Sequence, residues 1–240
     1  MLVKLTFAYD GTAFRGWARQ PGERTVEAVL ADGLAQVYRT AGQLVVAGRT
    51  DTGVHALANV VSLEVEGGPP PERAVEALNA VLPVDIAAQR VEQAAPGFHA
   101  RFSARSRSYR YRIWRRRERS PFEANRSLWH PRMLDVQRLN AAAAMLIGEH
   151  DFRAFTPTET RHGVFSRTVE DARWYDRGDA VELEITADSF LRHMVRTLVG
   201  TMLERDPDEI VPLLQGAPRS AAGSTAAACG LYLLGVGYEN

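Results

Sequence analysis

A single cysteine, Cys229, in 240 residues excludes an intrachain disulfide and favours a reducing compartment. The six histidines are scattered, with no two at a metal-ligand spacing, so no metal site is expected. Lysine is almost missing: Lys4 is the only one, and every other basic side chain is arginine. No long hydrophobic run occurs. Ser220 to Tyr238 carries no charge, but Ser220, Ser224, Thr225 and four glycines interrupt it. That stretch reads as ending in a buried strand rather than as a membrane span. No apolar signal segment follows Met1, so a cytoplasmic protein without a membrane partner is expected. Net charge is zero, so the chain as a whole is not a polycation.

What is present fits an ordinary globular chain, with 45% hydrophobic and 24% charged residues. Leu2 to Tyr9 alternates as a strand. A helix follows Thr25, its capping residue, to about Thr40. Strands are expected over 43–47 and 54–65, a helix after Pro71, and a strand over 85–92. The order β-α-β-β-α-β then recurs. It comprises a strand over 106–115, a helix over 135–148 capped by Asp135, and a hairpin joining 167–175 to 180–187. A helix capped by Ser189 and running from Phe190 to about Arg205, and a strand over 231–238, complete it. Two such units are ferredoxin-like halves of an α+β protein, with an extended antiparallel sheet and helices on one face. The halves divide as 1–100 and 101–240.

Residues Gly48 to His55 read Gly-Arg-Thr-Asp-Thr-Gly-Val-His, between two expected strands. This puts one carboxylate, Asp51, on a glycine-bounded loop with Arg49 two residues before it. A scaffold fixes such a group while the loop keeps it reachable. Asp beside Gly also simply shapes turns. A second signal is a run of nine arginines between Arg101 and Arg119, opposed in sequence only by Glu118. Tyr109, Tyr111 and Trp114 are interleaved with them. Guanidinium groups attract phosphate and aromatic faces stack on bases, but a solvated strand face gives the same pattern. Arg196 falls at the edge of a helical apolar stripe; facing a cleft, it would pair with Asp51 and hold it ionised.

The chain resembles the TruA family of tRNA pseudouridine synthases. The residues that carry the resemblance span nearly the whole chain. They are Tyr9-Asp10-Gly11-Thr12 with Gly16-Trp17, Gly48 to His55, Asn79 to Pro83 with Asp85-Ile86-Ala87, and Phe98 to Ala104. Tyr109-Arg110-Tyr111, His193 to Arg196 with Val199-Gly200, and Gly230 to Leu233 complete the series. The resemblance implies an enzyme that isomerises uridine to pseudouridine at tRNA positions 38 to 40, in the anticodon stem-loop. It implies that Asp51 is the essential aspartate and that Arg196 pairs with it. Tyr109 stacks on the target uracil, and Arg49 helps to displace the base. It also implies a central cleft that binds RNA, and a homodimer that holds one tRNA. The reaction rearranges one molecule without oxidation or transfer from elsewhere, so no cofactor is expected.

Two rivals follow from the same residues. Asp51-Thr52-Gly53 spells the aspartic-peptidase triplet, but there two carboxylates share one proton, which an adjacent arginine opposes. A non-catalytic RNA-binding module would use the arginine-aromatic strand alone. The stretch 156–165 is assigned no role.

Overall fold

A computed structural model describes residues 1–160 and 163–239. Arg161 and His162, inside the stretch without an assigned role, lie outside the described residues. The fold is α+β and forms two compact units. The first is Met1–Arg105 with the C-terminal segment from Tyr232; the second is Ser106–Leu231.

The first unit contains β1 (Leu2–Tyr9), α1 (Val26–Val37), β2 (Thr40–Ala41), β3 (Val45–Val46), β4 (His55–Glu66), α2 (Pro71–Val81) and β5 (Ile86–Gln93). In β1 the alternate residues Val3, Leu5, Phe7 and Tyr9 are buried, as the period-two pattern requires. β1 runs antiparallel between β4 and β5, with Leu5 opposite Val61 on one side and Val91 on the other. The Thr25 hydroxyl accepts the Ala28 N–H and caps α1. α1 packs on α2, and α2 on β5.

The second unit contains β6 (Ala104–Trp114), β7 (Leu128–Trp129), α3 (Val136–Ala144), β8 (Gly148–Asp151), β9 (Ser166–Arg177), β10 (Ala180–Ala187), α4 (Met194–Glu204) and α5 (Pro207–Ile210). Its strands lie in the order β6-β10-β9-β8, all antiparallel, with only the two-residue β7 parallel to β6. Asp135 caps α3 by accepting the Gln137 and Arg138 N–H groups at 2.9 and 3.1 Å.

Three expectations change. β11 (Leu231–Tyr238) pairs in parallel with β4, Tyr232 opposite His55 and Leu233 opposite Ala56. The compact units are therefore not the contiguous halves 1–100 and 101–240, because the last strand returns to the first sheet. The helix expected from Phe190 begins at Met194. Its N-terminal neighbour His193 has φ +63°, which no helix continues through, and the Ser189 N–H bonds the Asp188 carboxylate instead of Ser189 capping the helix. The helix over 135–148 stops at Ala144, and β8 takes the residues from Gly148. Among the described residues, no helix is long and apolar enough to cross a membrane. Nor is any group of three His, Cys, Asp or Glu placed to hold a metal ion.

Candidate active site

The register of β1 fixes the Asp51 loop. Tyr9 is the last inward residue of the strand, and its hydroxyl meets Thr50 Oγ1 at 2.7 Å. Asn59 Nδ2 approaches the same phenol at 3.4 Å and donates to the Gly48 carbonyl at 2.9 Å. β4 carries one extra residue between Ala56 and Asn59, opposite Phe7 and Tyr9 of β1. Such a bulge re-aims side chains beside a loop. Thr50 is held a second time, since its carbonyl accepts the Trp17 N–H at 3.0 Å. The loop closes as a turn in which the Val54 N–H donates to the Asp51 carbonyl at 3.1 Å. Gly53 in that turn has φ +77°, a conformation that glycine adopts without strain. Burial pushes the Tyr9 phenol up to about 12, so it stays neutral at any physiological pH. Asp51 itself is half-buried and Arg49 is exposed.

A second layer sits behind the loop. The Gly11 N–H donates to His55 Nδ1 at 3.0 Å, and the imidazole stacks on Tyr232 at 4.6 Å. A Cβ at Gly11 would lie 2.0 Å from the Val54 carbonyl oxygen. The backbone of the loop therefore packs directly on the glycine α-carbon. Gly16, with φ +83°, approaches Thr50 and Asp51 in the same way. The Asp10-Gly11 pair, which reads in sequence as a turn, thus serves as a buttress. Asp10 also accepts the Thr12 N–H.

In the second unit, Tyr109 lies on β6 opposite Ile185 of β10. Its ring meets Phe190 edge-on at 5.0 Å and 83°, and the residue is 8% exposed. Arg107, on the same strand face, donates to the Asp188 carbonyl at 2.9 Å. Arg196 stands in the first turn of α4. Its Nε–H donates to the Ala226 carbonyl at 2.8 Å, and the Ala226 N–H returns a bond to the Arg196 carbonyl at 3.0 Å. The backbone bond holds Ala226 beside α4, and the Nε bond sets the plane of the guanidinium. Tyr111, wholly buried, donates to the Ala227 carbonyl at 2.8 Å; burial, above all, raises its phenol pKa. Cys229 is half-buried, and burial raises its thiol too, which leaves a poor nucleophile.

The arginine-aromatic strand is not one mixed surface. Tyr109, Tyr111 and Ile113 point to the buried face of β6, and Arg110 and Arg112 to the opposite one. There the guanidinium groups meet carboxylates from distant sequence. Arg110 reaches Glu184 at 2.9 Å, and Arg112 reaches Glu182 at 2.6 Å and Glu123 at 2.8 Å. Arg115 pairs with Asp176 at 2.8 Å. Glu182 is 6% exposed and also faces Arg110 and Arg177, each at 3.5 Å. The Arg112 hydrogen bonds hold the Glu123 carboxyl below its usual range. Much of the positive charge that the sequence leaves unopposed is thus neutralised within the unit.

Of the four residues picked from sequence, Arg49 and Asp51 share one loop of the first unit, and Tyr109 and Arg196 belong to the second. The sequence reading missed the Tyr9–Thr50–Asn59 network and the Phe190 edge on Tyr109. A signal for the first was available, because Tyr9 is the last alternating residue before a glycine. The second had none, since Phe190 reads as part of a helical stripe.

A family model described as tRNA pseudouridine synthase matches residues 5–103 and 142–239. The matched stretches include Arg49, Asp51 and Arg196, and leave out Tyr109. The protein named tRNA pseudouridine synthase A of Bacillus subtilis (strain 168) is 39% identical over 247 residues, covering 100% of both chains. That of Geobacillus kaustophilus is 39% identical over 244 residues, with 99% of this chain and 95% of the relative covered. That of Bordetella petrii is 42% identical over 245 residues, with 98% and 91% covered.

Proposed function

Because the chain belongs to the tRNA pseudouridine synthase family, isomerases that act on tRNA, we propose that it converts uridines at tRNA positions 38 to 40 into pseudouridine with Asp51 as the reacting carboxylate. The observation that supports the assignment is the immobilisation of one half-buried aspartate. Thr50, immediately before it, is held through both its hydroxyl and its carbonyl. A group fixed in this way needs little reorganisation when charge develops in the transition state.

The reaction breaks the bond between ribose C1′ and uracil N1 and makes one between C1′ and C5. The C5 hydrogen leaves as a proton and N1 gains one, so atoms and charge balance without an added reactant. Three first steps are open to a carboxylate: attack on C1′, attack on C6, or removal of the C2′ proton. In each, Asp51 must be ionised. Arg196 is assigned to pair with it, its guanidinium plane already set by the Ala226 carbonyl. Tyr109 is assigned to stack on the freed uracil, which an aromatic face holds without blocking rotation. At 8% exposure it admits a base only after its covering moves aside. Arg49, exposed beside Asp51, is assigned to fill the gap left by the displaced base, whose unstacking costs roughly a few kcal/mol. A homodimer in the cytoplasm, two subunits to one tRNA, completes the proposal.

Asp51→Asn tests it. The variant keeps the shape of the side chain and loses the nucleophile and base. It should bind tRNA with unchanged affinity and form no pseudouridine in a tritium-release assay on 5-³H-uridine tRNA. Normal turnover by this variant rules out the mechanism. Loss of binding together with turnover makes Asp51 a structural turn residue, and a wild-type protein that binds tRNA but forms no pseudouridine favours the non-catalytic RNA-binding module.

A further inference from the structure

The turn after β5 holds an exposed aromatic group that the reaction does not use. Phe102 is 75% exposed. Its ring stacks on His99 at 4.3 Å and 24°, and the Arg101 guanidinium carbon lies 5.5 Å from its centroid. This exposure does not come from a slack segment. The Ser103 N–H donates to the His99 carbonyl at 2.9 Å, the His99 N–H to Ser103 Oγ at 3.1 Å, and the Phe102 N–H to His99 Nδ1 at 3.2 Å. Between them, Ala100 is fully buried and donates its N–H to Ser62 Oγ of β4 at 3.0 Å. Ala100 forms one small core with Ala47 and Val60, against which Phe98 and Tyr238 pack. Ala47 directly precedes Gly48, where the Asp51 loop begins.

We propose that His99, Arg101 and Phe102 form a second RNA contact, a shelf on which one unpaired nucleobase of the substrate stacks while Arg101 takes a neighbouring phosphate. The inference rests on the reading of the protein as a tRNA-modifying enzyme and adds a binding site to it. Three observations select RNA as the occupant. A large aromatic ring held open on a rigid turn loses little entropy when a base covers it. Its neighbours are cationic or polar rather than apolar: Arg101 and Ser103 flank it in the chain, and His99 stacks on it. Finally, the turn is anchored in the same core as the root of the Asp51 loop, so a nucleic acid held at that loop and the shelf share one unit. Arginine beside an exposed aromatic ring is the combination that binds single-stranded nucleotides without reading sequence.

The test uses the full-length protein, a tRNA transcript and fluorescence anisotropy at several salt concentrations. Stacking on a protein aromatic ring is worth roughly ten-fold or more in affinity per base, so Phe102→Ala should raise Kd about ten-fold, and KM with it, while Phe102→Trp restores both. Arg101→Ala should lower the slope of log affinity against log salt by about one, which Phe102→Ala leaves alone. Val84→Ser removes a fully exposed apolar residue elsewhere in the unit and should change nothing. Wild-type affinity in Phe102→Ala overturns the proposal. So does a weaker affinity that sedimentation traces to a changed oligomeric state, since the occupant is then a second copy of the chain. If the wild-type protein forms no pseudouridine, the functional reading falls, and the shelf is still judged by the binding data alone.

Discussion

Replacing Gly11 by alanine should damage catalysis from a residue that carries no reactive group. The new methyl carbon would lie 2.0 Å from the Val54 carbonyl oxygen, 2.5 Å from its carbon and 3.0 Å from its nitrogen. These are backbone atoms, so no rotamer change relieves the clash. Since carbons rarely approach closer than 3.0 Å, either residue 11 or the loop must move by about 1 Å. Overpacking of this kind costs about 3 kcal/mol, which lowers the urea midpoint by about 1 M for a slope of about 3 kcal/mol per M. The displacement reaches Asp51 because the Val54 N–H is bonded to the Asp51 carbonyl. A shift of about 1 Å at a catalytic group costs about 100-fold in rate. Urea unfolding followed by tryptophan fluorescence and single-turnover pseudouridine formation measure the two effects. Gly22→Ala is the control: it meets nothing within 4 Å and should cost only the strain of an alanine at positive φ. A Gly11→Ala protein with a normal midpoint and rate refutes the packing argument. A lowered midpoint with a normal rate refutes the coupling of the turn to Asp51.

Three further outcomes are expected. The Tyr9 phenol, raised to about 12 in the fold, titrates near 10 when unfolded. The stability it contributes is complete below pH 10 and is lost as pH rises towards 12, at up to about 1.4 kcal/mol per pH unit. Urea midpoints between pH 9 and 12 should fall less steeply in Tyr9→Phe than in the wild type, and equal slopes contradict the assignment. Arg112→Ala should destabilise by about 3 kcal/mol, because it strips Glu182 of its shortest ion pair and leaves a buried carboxylate. Glu123, whose pKa Arg112 lowers, adds stability above its usual value of 4.5 that is lost as pH falls through the lowered one. The variant should lack that part of the acid limb in unfolding between pH 3 and 6. Arg196→Lys keeps the charge but loses the Nε bond that sets the plane, so kcat should fall about 100-fold with circular dichroism unchanged; normal turnover denies Arg196 a positioning role.

Much of the fold was legible locally. β1 and β10 occupy the expected residues because alternation marks a half-buried strand, and β11 because a short apolar run marks a buried one. Thr25 and Asp135 announce their helices through a capping oxygen. The failures share a cause. β8 is a short polar edge strand whose only signature is its partner β9, and α4 starts late because His193 sits at positive φ. The loop that carries Asp51 and Arg49 was legible as a glycine-bounded loop, but what holds it was not.

The sequence by itself determined which side chains are available for chemistry, because composition and short motifs are local properties: an aspartate near an arginine on a glycine-bounded loop, one cysteine, almost no lysine. Tertiary structure alone decided which charges remain unneutralised. Arg110 and Arg112 read as an open basic strand until β10 sets Glu184 and Glu182 opposite them, 74 and 70 residues away. It also decided that the last strand belongs with the first unit, and that a glycine 40 residues from Asp51 carries its loop. Pairing, packing and Coulomb energy depend on distance in space, which the order of residues along a chain does not contain.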